Sequence, residues 1–319
     1  MIRRLSTFLA TVCLVATGLI ASAPAPARAA AVACTGYSSS TTTCTNTQTV
    51  IGGTSYSVDW YQPKATSNGL MLVQHGFSRN CGHLRGTSKA IAEKGLTVLC
   101  INADMTAGNP ALAATVGDWL TARAITPPNG KPLPTAYVVG GHSAGGHFAS
   151  AVGARLAANG YPQLKGAVLF DAVAAEGFSA NLQAISAGGA RRVLQVAARP
   201  SVTNLANNSF GALNDLDSGF VGIQLVWSSY FLGAPIGGSC HTDVEGEDTD
   251  LVGTAGALCS PSSTQTQRLR DFGSTWARDL ATGTTTAAYH CVDDQVLASC
   301  GSKVRDLADR SLPLAAPIR

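Results

Sequence analysis

Five short segments of this chain are apolar at nearly every position: Leu70-Met71-Leu72-Val73, Leu96 to Ile101, Tyr137-Val138-Val139, Ala167 to Phe170, and Val193-Leu194-Gln195-Val196. A strand with one face in water alternates apolar and polar residues, whereas a run without that alternation is covered on both faces. Helical stretches separate the runs. Leu84 to Lys94 ends at Gly95, a natural C-terminal stop. Asn109-Pro110 reads as an N-cap with proline in the first turn, opening a helix through Asp118 and Trp119. An Ala-rich segment runs from Ser143 to Asn159-Gly160, and Thr264 to Leu280 reads as a late helix. Strands alternating with helices in this way imply an α/β class: right-handed crossovers and a doubly wound, mostly parallel sheet with helices on both faces. Ser55 to Tyr61 alternates with period two and predicts a half-buried strand. Ser38 to Thr49 predicts an edge strand or a loose start, and Ile223 to Trp227 one further strand.

The 319 residues suffice for one large core, and no linker or internal repeat divides them. The N-terminus reads as a targeting segment. Arg3 and Arg4 precede an apolar stretch from Phe8 to Ile20, and Ala27-Arg28-Ala29 gives a small-x-small cleavage pattern. The expectation is a signal peptide over 1–29 and one catalytic domain over 30–319, secreted to an extracellular or periplasmic space. The apolar run is too short and too interrupted, by Pro24 and Pro26, for a stable membrane span. A net charge of +3 is too small to imply a nucleic-acid partner, no Lys/Arg-rich run appears, and no such partner is expected.

Of nine cysteines, Cys13 lies in the signal. An even number in an exported chain points to disulfides. The remainder form sequence-local couples, which sets the expected pairing as Cys34–Cys44, Cys81–Cys100, Cys240–Cys259 and Cys291–Cys300. No C-x-x-C or His/Cys knuckle spacing suggests zinc, and no cofactor is expected.

The chemistry gathers around Gly141-His142-Ser143-Ala144-Gly145. A G-x-S-x-G string alone is weak evidence. Here a buried strand ends directly before it and an Ala-rich helix begins directly after it, the strand–turn–helix setting of a nucleophile elbow. The helix N-terminus beneath Ser143 favours developing negative charge. The alternative is a glycine-rich turn with an incidental serine. Upstream, Gln74-His75-Gly76-Phe77 follows the strand Leu70 to Val73, where this arrangement supplies one oxyanion donor. The expected oxyanion donors are the backbone N–H groups of Phe77 and Ala144. The Phe77 ring and His75 are expected to form part of the substrate-binding wall and its support.

A serine nucleophile needs a base and an acid. His241 lies downstream of the serine, after a late strand and the loop Gly237-Gly238-Ser239-Cys240, and is the expected base. His142 should point beneath the turn, His147 should be packing, and His83 and His290 lie near cysteines as surface or structural groups. Between Ser143 and His241 the carboxylates are Asp171, Glu176, Asp215 and Asp217. Asp171 immediately follows a buried strand, at the carboxyl edge where catalytic groups of open α/β sheets gather, and is the expected acid, with Asp215 and Asp217 the rivals. The acidic residues after His241, from Asp243 to Asp250, do not have EF-hand spacing and read as a solvated loop.

Gln74-His75-Gly76-Phe77, the Gly-His-Ser-Ala-Gly-Gly elbow and Leu169-Phe170-Asp171-Ala172-Val173 together resemble the chlorophyllase and platelet-activating-factor acetylhydrolase branch of the α/β-hydrolases. That resemblance covers about Ser55 to His241 and implies an acid directly after the strand that follows the nucleophile helix. Bacterial cutinase-like polyester hydrolases are similar in the elbow and oxyanion loop, but they carry the acid after the next strand. The corresponding stretch here, Ala197 to Val202, has no carboxylate. The resemblance implies a serine carboxylic-ester hydrolase acting on short esters, lipids or polyesters, and a monomer is expected. An amidase, peptidase or acyltransferase would use the same groups. A hydrolase-like binding protein is the alternative of another class. No large lid insertion appears between Asp171 and Val193, which leaves the expected site open.

Overall fold

A computed structural model of the chain describes residues 31–216 and 219–318. The expected signal peptide and Asp217 lie outside the described residues. The strands are β1 (Val32–Ala33), β2 (Thr42–Ile51), β3 (Thr54–Pro63), β4 (Gly69–Gln74), β5 (Leu96–Ile101), β6 (Tyr137–His142), β7 (Leu164–Phe170), β8 (Arg192–Ala197), β9 (Gly222–Leu225), β10 (Trp227–Phe231), β11 (Ala234–Gly238) and β12 (Ala315–Pro317). The helices are α1 (Arg85–Glu93), α2 (Pro110–Ala122), α3 (Ala144–Ala158), α4 (Phe178–Ser186), α5 (Phe210–Asn214), α6 (Leu251–Ala257), α7 (Ser263–Thr282) and α8 (Ser302–Ala308).

Among the described residues, one sheet has the order β1-β2-β3-β5-β4-β6-β7-β8-β9-β12, and β10 and β11 form a separate hairpin. From β5 to β9 neighbouring strands run parallel. Antiparallel strands flank them at both ends, with β3 on β5 and β12 on β9. The doubly wound, mostly parallel sheet read from the apolar runs is therefore present.

Alternate side chains of each central strand enter different cores, as the period of two requires. Leu70 and Leu72 of β4, Ala167 and Leu169 of β7 pack with Val116 of α2, Phe148 and Val152 of α3 and Leu182 of α4. Met71, Val73, Val168 and Phe170 pack with Ile91 of α1, Leu269, Phe272 and Trp276 of α7 and Val304 of α8. This two-sided burial explains the missing alternation in the sequence.

Some details differ from the sequence reading. The stretch expected as an edge strand or loose start is the ten-residue β2, an edge strand for most of its length: it pairs with β3 throughout and carries only the two-residue β1 on its other side. Cross-strand bonds such as Trp60 Nε1 to Thr47 Oγ1 at 3.0 Å explain how so polar a strand is held. The segment Ile223 to Trp227 is divided: β9 stays in the main sheet, and Trp227 opens the β10–β11 hairpin. The short closing strand β12 carries no pattern long enough to read. All four expected cysteine pairs are disulfides among the described residues. They suit an oxidising, extracellular-type compartment. No helix among the described residues is long and apolar enough to cross a membrane.

Close packing of α7 on the sheet yields a test. A Cβ on Gly273 would lie 2.3 Å from Cε1 of the fully buried Phe170 ring. Gly273→Ala should therefore destabilise the fold by about 1–3 kcal/mol, despite the better helix propensity of alanine. Gly256 of α6 has nothing within 4 Å of such a Cβ. Gly256→Ala should be neutral or stabilising by up to about 1 kcal/mol. Urea denaturation midpoints of the two variants check the contrast.

Candidate active site

Parallel pairing with matched register brings the ends of four strands to one edge. Gln74 pairs with Gly141, His142 with Phe170, and Phe170 with Val196. The residues that leave these strands, His75 to Phe77, Ser143, Asp171 and Ala198, therefore emerge side by side.

Ser143 sits between β6 and α3 with φ 55° and ψ −128°. That backbone costs about 1–3 kcal/mol for a residue with a Cβ and persists only where the surroundings determine it. Here its N–H donates to the Phe170 carbonyl at 3.3 Å, and its carbonyl accepts from Gly146 at 2.9 Å and Val173 at 3.2 Å. Gly145 is required for close approach, since a Cβ there would lie 2.1 Å from the His75 carbonyl oxygen. Gly76 is equally constrained: its Cβ would come within 3.0 Å of Ser143 Cβ. The loop carrying Phe77 thus passes directly over the serine. Ala144 opens α3, so its N–H lacks an intrahelical acceptor. Phe77 exposes 58% of its surface. His75 is 1% exposed, and its Nδ1 lies 3.0 Å from the Gly76 carbonyl, a bracing position inside the loop.

Asp171 also has positive φ, at 46°. Its Oδ2 lies 2.6 Å from His241 Nδ1, and both side chains are buried. A carboxylate only accepts, so Nδ1 carries the proton and Nε2 is left with its lone pair. Asp171 Oδ1 accepts from the Ala198 N–H at 3.0 Å. Asn204 Nδ2 donates to Asp171 at 3.1 Å and to the Arg199 carbonyl at 2.8 Å. The Asn204 side-chain oxygen accepts from the N–H of Ser201 at 2.8 Å. Sequence reasoning missed Asn204, which is fully buried. Its only signal is an Asx-type turn after Ser201, too common to mark a site. The rivals to Asp171 are elsewhere: Glu176 and Asp215 are exposed.

His142 is buried and donates from Nε2 to the His241 backbone carbonyl at 2.9 Å, with ring centroids 4.4 Å apart, a partner the sequence does not display. Burial, and then the neighbouring His241, holds its pKa well below the ordinary 6.5, so it is neutral. His147 packs on Phe178, with ring centroids 5.8 Å apart.

The acidic segment after His241 is solvated only in part: Glu247 and Asp250 are exposed, whereas Asp243 and Glu245 are buried. Asp243 is 1% exposed and accepts from Cys240 N at 2.6 Å and Ser262 N at 2.9 Å. Glu245 is fully buried against Arg79, Glu247 pairs with Arg270, and Asp250 caps α6. Each carboxylate meets a cation or backbone N–H groups from distant sequence, which linear spacing does not display. Among the described residues, no group of His, Cys, Asp and Glu side chains is arranged to hold a metal ion.

No protein-family model matches this chain, and no curated protein matches it. Solved structures do. Carboxyl esterase 2 from the mycorrhizal fungus Tuber melanosporum is 12% identical over 76% of this chain and 87% of that chain, with a TM-score of 0.51. An arylesterase is 15% identical over 76% and 87% of the two chains, with a TM-score of 0.50. The match to esterase Est22 with p-nitrophenol spans 46% of that protein, less than half its length, at a TM-score of 0.35, and carries no weight. At these identities the likeness speaks to architecture alone. With the sheet order and both helical layers, it defines the α/β-hydrolase fold.

Buried titratable groups set the acid response of the fold. Burial pulls His75 and His290 from 6.5 to about 4, the latter helped by Arg192, and His142 lies low as well. Between pH 4 and 6.5 the unfolded chain binds protons on these histidines that the folded chain does not, so stability rises with pH across that window. Asp243 opposes this, because burial raises it from 3.8 to about 7 and its share falls as pH rises. Each group contributes about 1.4 kcal/mol per pH unit within its window, and the histidines prevail. Calorimetry should show Tm falling by several degrees from pH 6.5 to 4.5, and a rise would contradict this account.

Proposed function

We propose that the chain is a secreted serine carboxylic-ester hydrolase whose residues 30–319 form one catalytic domain. The observation that supports it best is the 2.6 Å contact between His241 Nδ1 and Asp171 Oδ2, beside a serine held at φ 55° under a glycine-lined loop. In this reading His241 takes the Ser143 proton through Nε2 as the hydroxyl attacks an ester carbonyl. Asp171 orients the imidazole and stabilises the imidazolium without taking the proton. The N–H groups of Phe77 and Ala144 receive the oxyanion, each worth about 10²–10³-fold in rate. The alcohol leaves, and water activated by His241 then releases the acid.

Exposed apolar side chains on the loops that carry Phe77 and Asn204 favour esters with hydrophobic acyl or alcohol groups. Phe77, Val202 and Leu205 are 58%, 80% and 55% exposed, and the last two flank Asn204. Short esters, lipids and polyester chains are the candidate substrates, and the carboxyl esterase and the arylesterase of similar fold are esterases. The position of Asp171 directly after β7 supports the chlorophyllase and platelet-activating-factor acetylhydrolase branch. Disulfides and the reading of 1–29 as a signal peptide support export.

A fluorophosphonate probe should label Ser143, located by mass spectrometry, and Ser143→Ala should abolish the label. In p-nitrophenyl ester turnover, Asp171→Asn should lower kcat by about 10³–10⁴-fold. Asn204→Ala should lower it by a smaller factor, because Asp171 keeps the Ala198 N–H. Near-normal activity in Asp171→Asn would reject the assignment of the acid.

A further inference from the structure

The oxyanion loop and the base loop are far apart in sequence, yet a buried ion pair joins them. Arg79 lies two residues after Phe77, in a turn closed by its own N–H donating to the Gly76 carbonyl at 3.3 Å, with Ser78 at φ 55°. Its guanidinium donates from Nε to Glu245 Oε1 at 2.8 Å and from Nη2 to Glu245 Oε2 at 2.6 Å. The third arm, Nη1, donates to Asp250 Oδ1 at 2.8 Å. Side-chain exposure is 8% for Arg79 and 0% for Glu245. Glu245 lies four residues after His241, and its N–H donates to the Thr242 carbonyl at 2.9 Å, closing the turn His241–Val244. The Thr249 hydroxyl also donates to Glu245 Oε2. Gly253 packs over the pair: a Cβ there would lie 2.8 Å from Arg79 Nη2 and 3.2 Å from Glu245 Oε2.

We infer that the two-pronged Arg79–Glu245 pair is a positioning device that fixes the Phe77 N–H relative to His241, so that oxyanion donor and base act on one carbonyl. This rests on the acyl-transfer reading above. A planar fork on a carboxylate sets direction as well as distance, which a point charge does not. A single stabilising contact could have been placed anywhere in the fold. This one joins the two loops whose spacing the oxyanion step depends on. Neither residue touches substrate in this scheme. Loss of the pair should thus lower kcat, because transition-state geometry suffers while ground-state binding does not.

The test uses the full secreted chain, with fluorophosphonate labelling of wild-type Ser143 as the baseline; absence of that label would refute the acyl-transfer reading itself. Replacing both partners by apolar residues, Arg79→Met with Glu245→Leu, avoids stranding one buried charge and should keep the fold. With wild-type Tm, this double variant should lose tenfold or more in kcat and in labelling rate, with KM within about twofold. Glu245→Gln, which keeps the shape but only one acceptor, should recover the rate only in part, ahead of the double variant and short of wild type. Arg79→Lys, which keeps charge without the fork, should remain impaired, and it decides the matter if the double variant does not fold. Wild-type kcat in the folded double variant, or in Arg79→Lys, would overturn the inference. So would a loss carried wholly by KM.

Discussion

The parallel register of β4, β6, β7 and β8 is the constraint on which the rest depends. Parallel strands cannot be joined by tight turns, so each is followed by a crossover, and each crossover leaves from the same edge. With Gln74 beside Gly141, His142 beside Phe170 and Phe170 beside Val196, four chain segments leave that edge as neighbours. Two-sided burial locks the register, because a one-residue slip would exchange the two cores. Phe170 illustrates the dependence: its ring fills the α7 core while its carbonyl holds the Ser143 N–H. Packing on one face thus sets backbone geometry at the edge.

His241 comes from outside this scaffold. It follows the β10–β11 hairpin, which is not part of the main sheet, so its position must be built from discrete bonds. The Cys240–Cys259 disulfide ties the residue before it to the region after α6. Asp243 clamps Cys240 and Ser262 through two backbone N–H groups. His142 holds the His241 carbonyl, and Asp171 holds its ring. Burying polar groups is costly unless each is paired, and these partners are shared between the His241 loop and the sheet edge. A fold with only 13% charged residues therefore concentrates a good part of its buried charge around this one loop.

The division between what was legible in the sequence and what was not follows from the same distinction. Strands β4 to β8 and helix α3 could be read because burial imposes a periodic pattern on neighbouring residues. The elbow could be read because its glycines answer to local close approach. Disulfide partners could be read because they are near in sequence. Asn204, the orientation of His142 and the burial of Glu245 could not be read. Each depends on a partner from another element: Asp171 for the first, the His241 carbonyl for the second and Arg79 for the third. An acidic run next to a histidine looks solvated until the cations opposite are known, and Arg79 is 166 positions from Glu245. The closing strand β12 is three residues long and leaves no period to detect.

The loop after β8 shows how a buried carboxylate is accommodated directly after β7. Val196 and Phe170 are register partners, and the Asp171 N–H donates to the Val196 carbonyl at 2.8 Å. The ends of β7 and β8 are therefore adjacent, and a carboxylate leaving either could face an imidazole over this edge. With the carboxylate on β7, the β8 loop has a different task. A second carboxylate there would repel the first across a short, buried gap. Donors instead satisfy the lone pairs that the histidine leaves open. Ala198 supplies a backbone N–H and Asn204 an amide, and Asn204 is in turn braced by Arg199 and Ser201. The absence of a carboxylate from Ala197 to Val202 is thus the complement of its presence at Asp171: the two loops divide acceptor and donor between them.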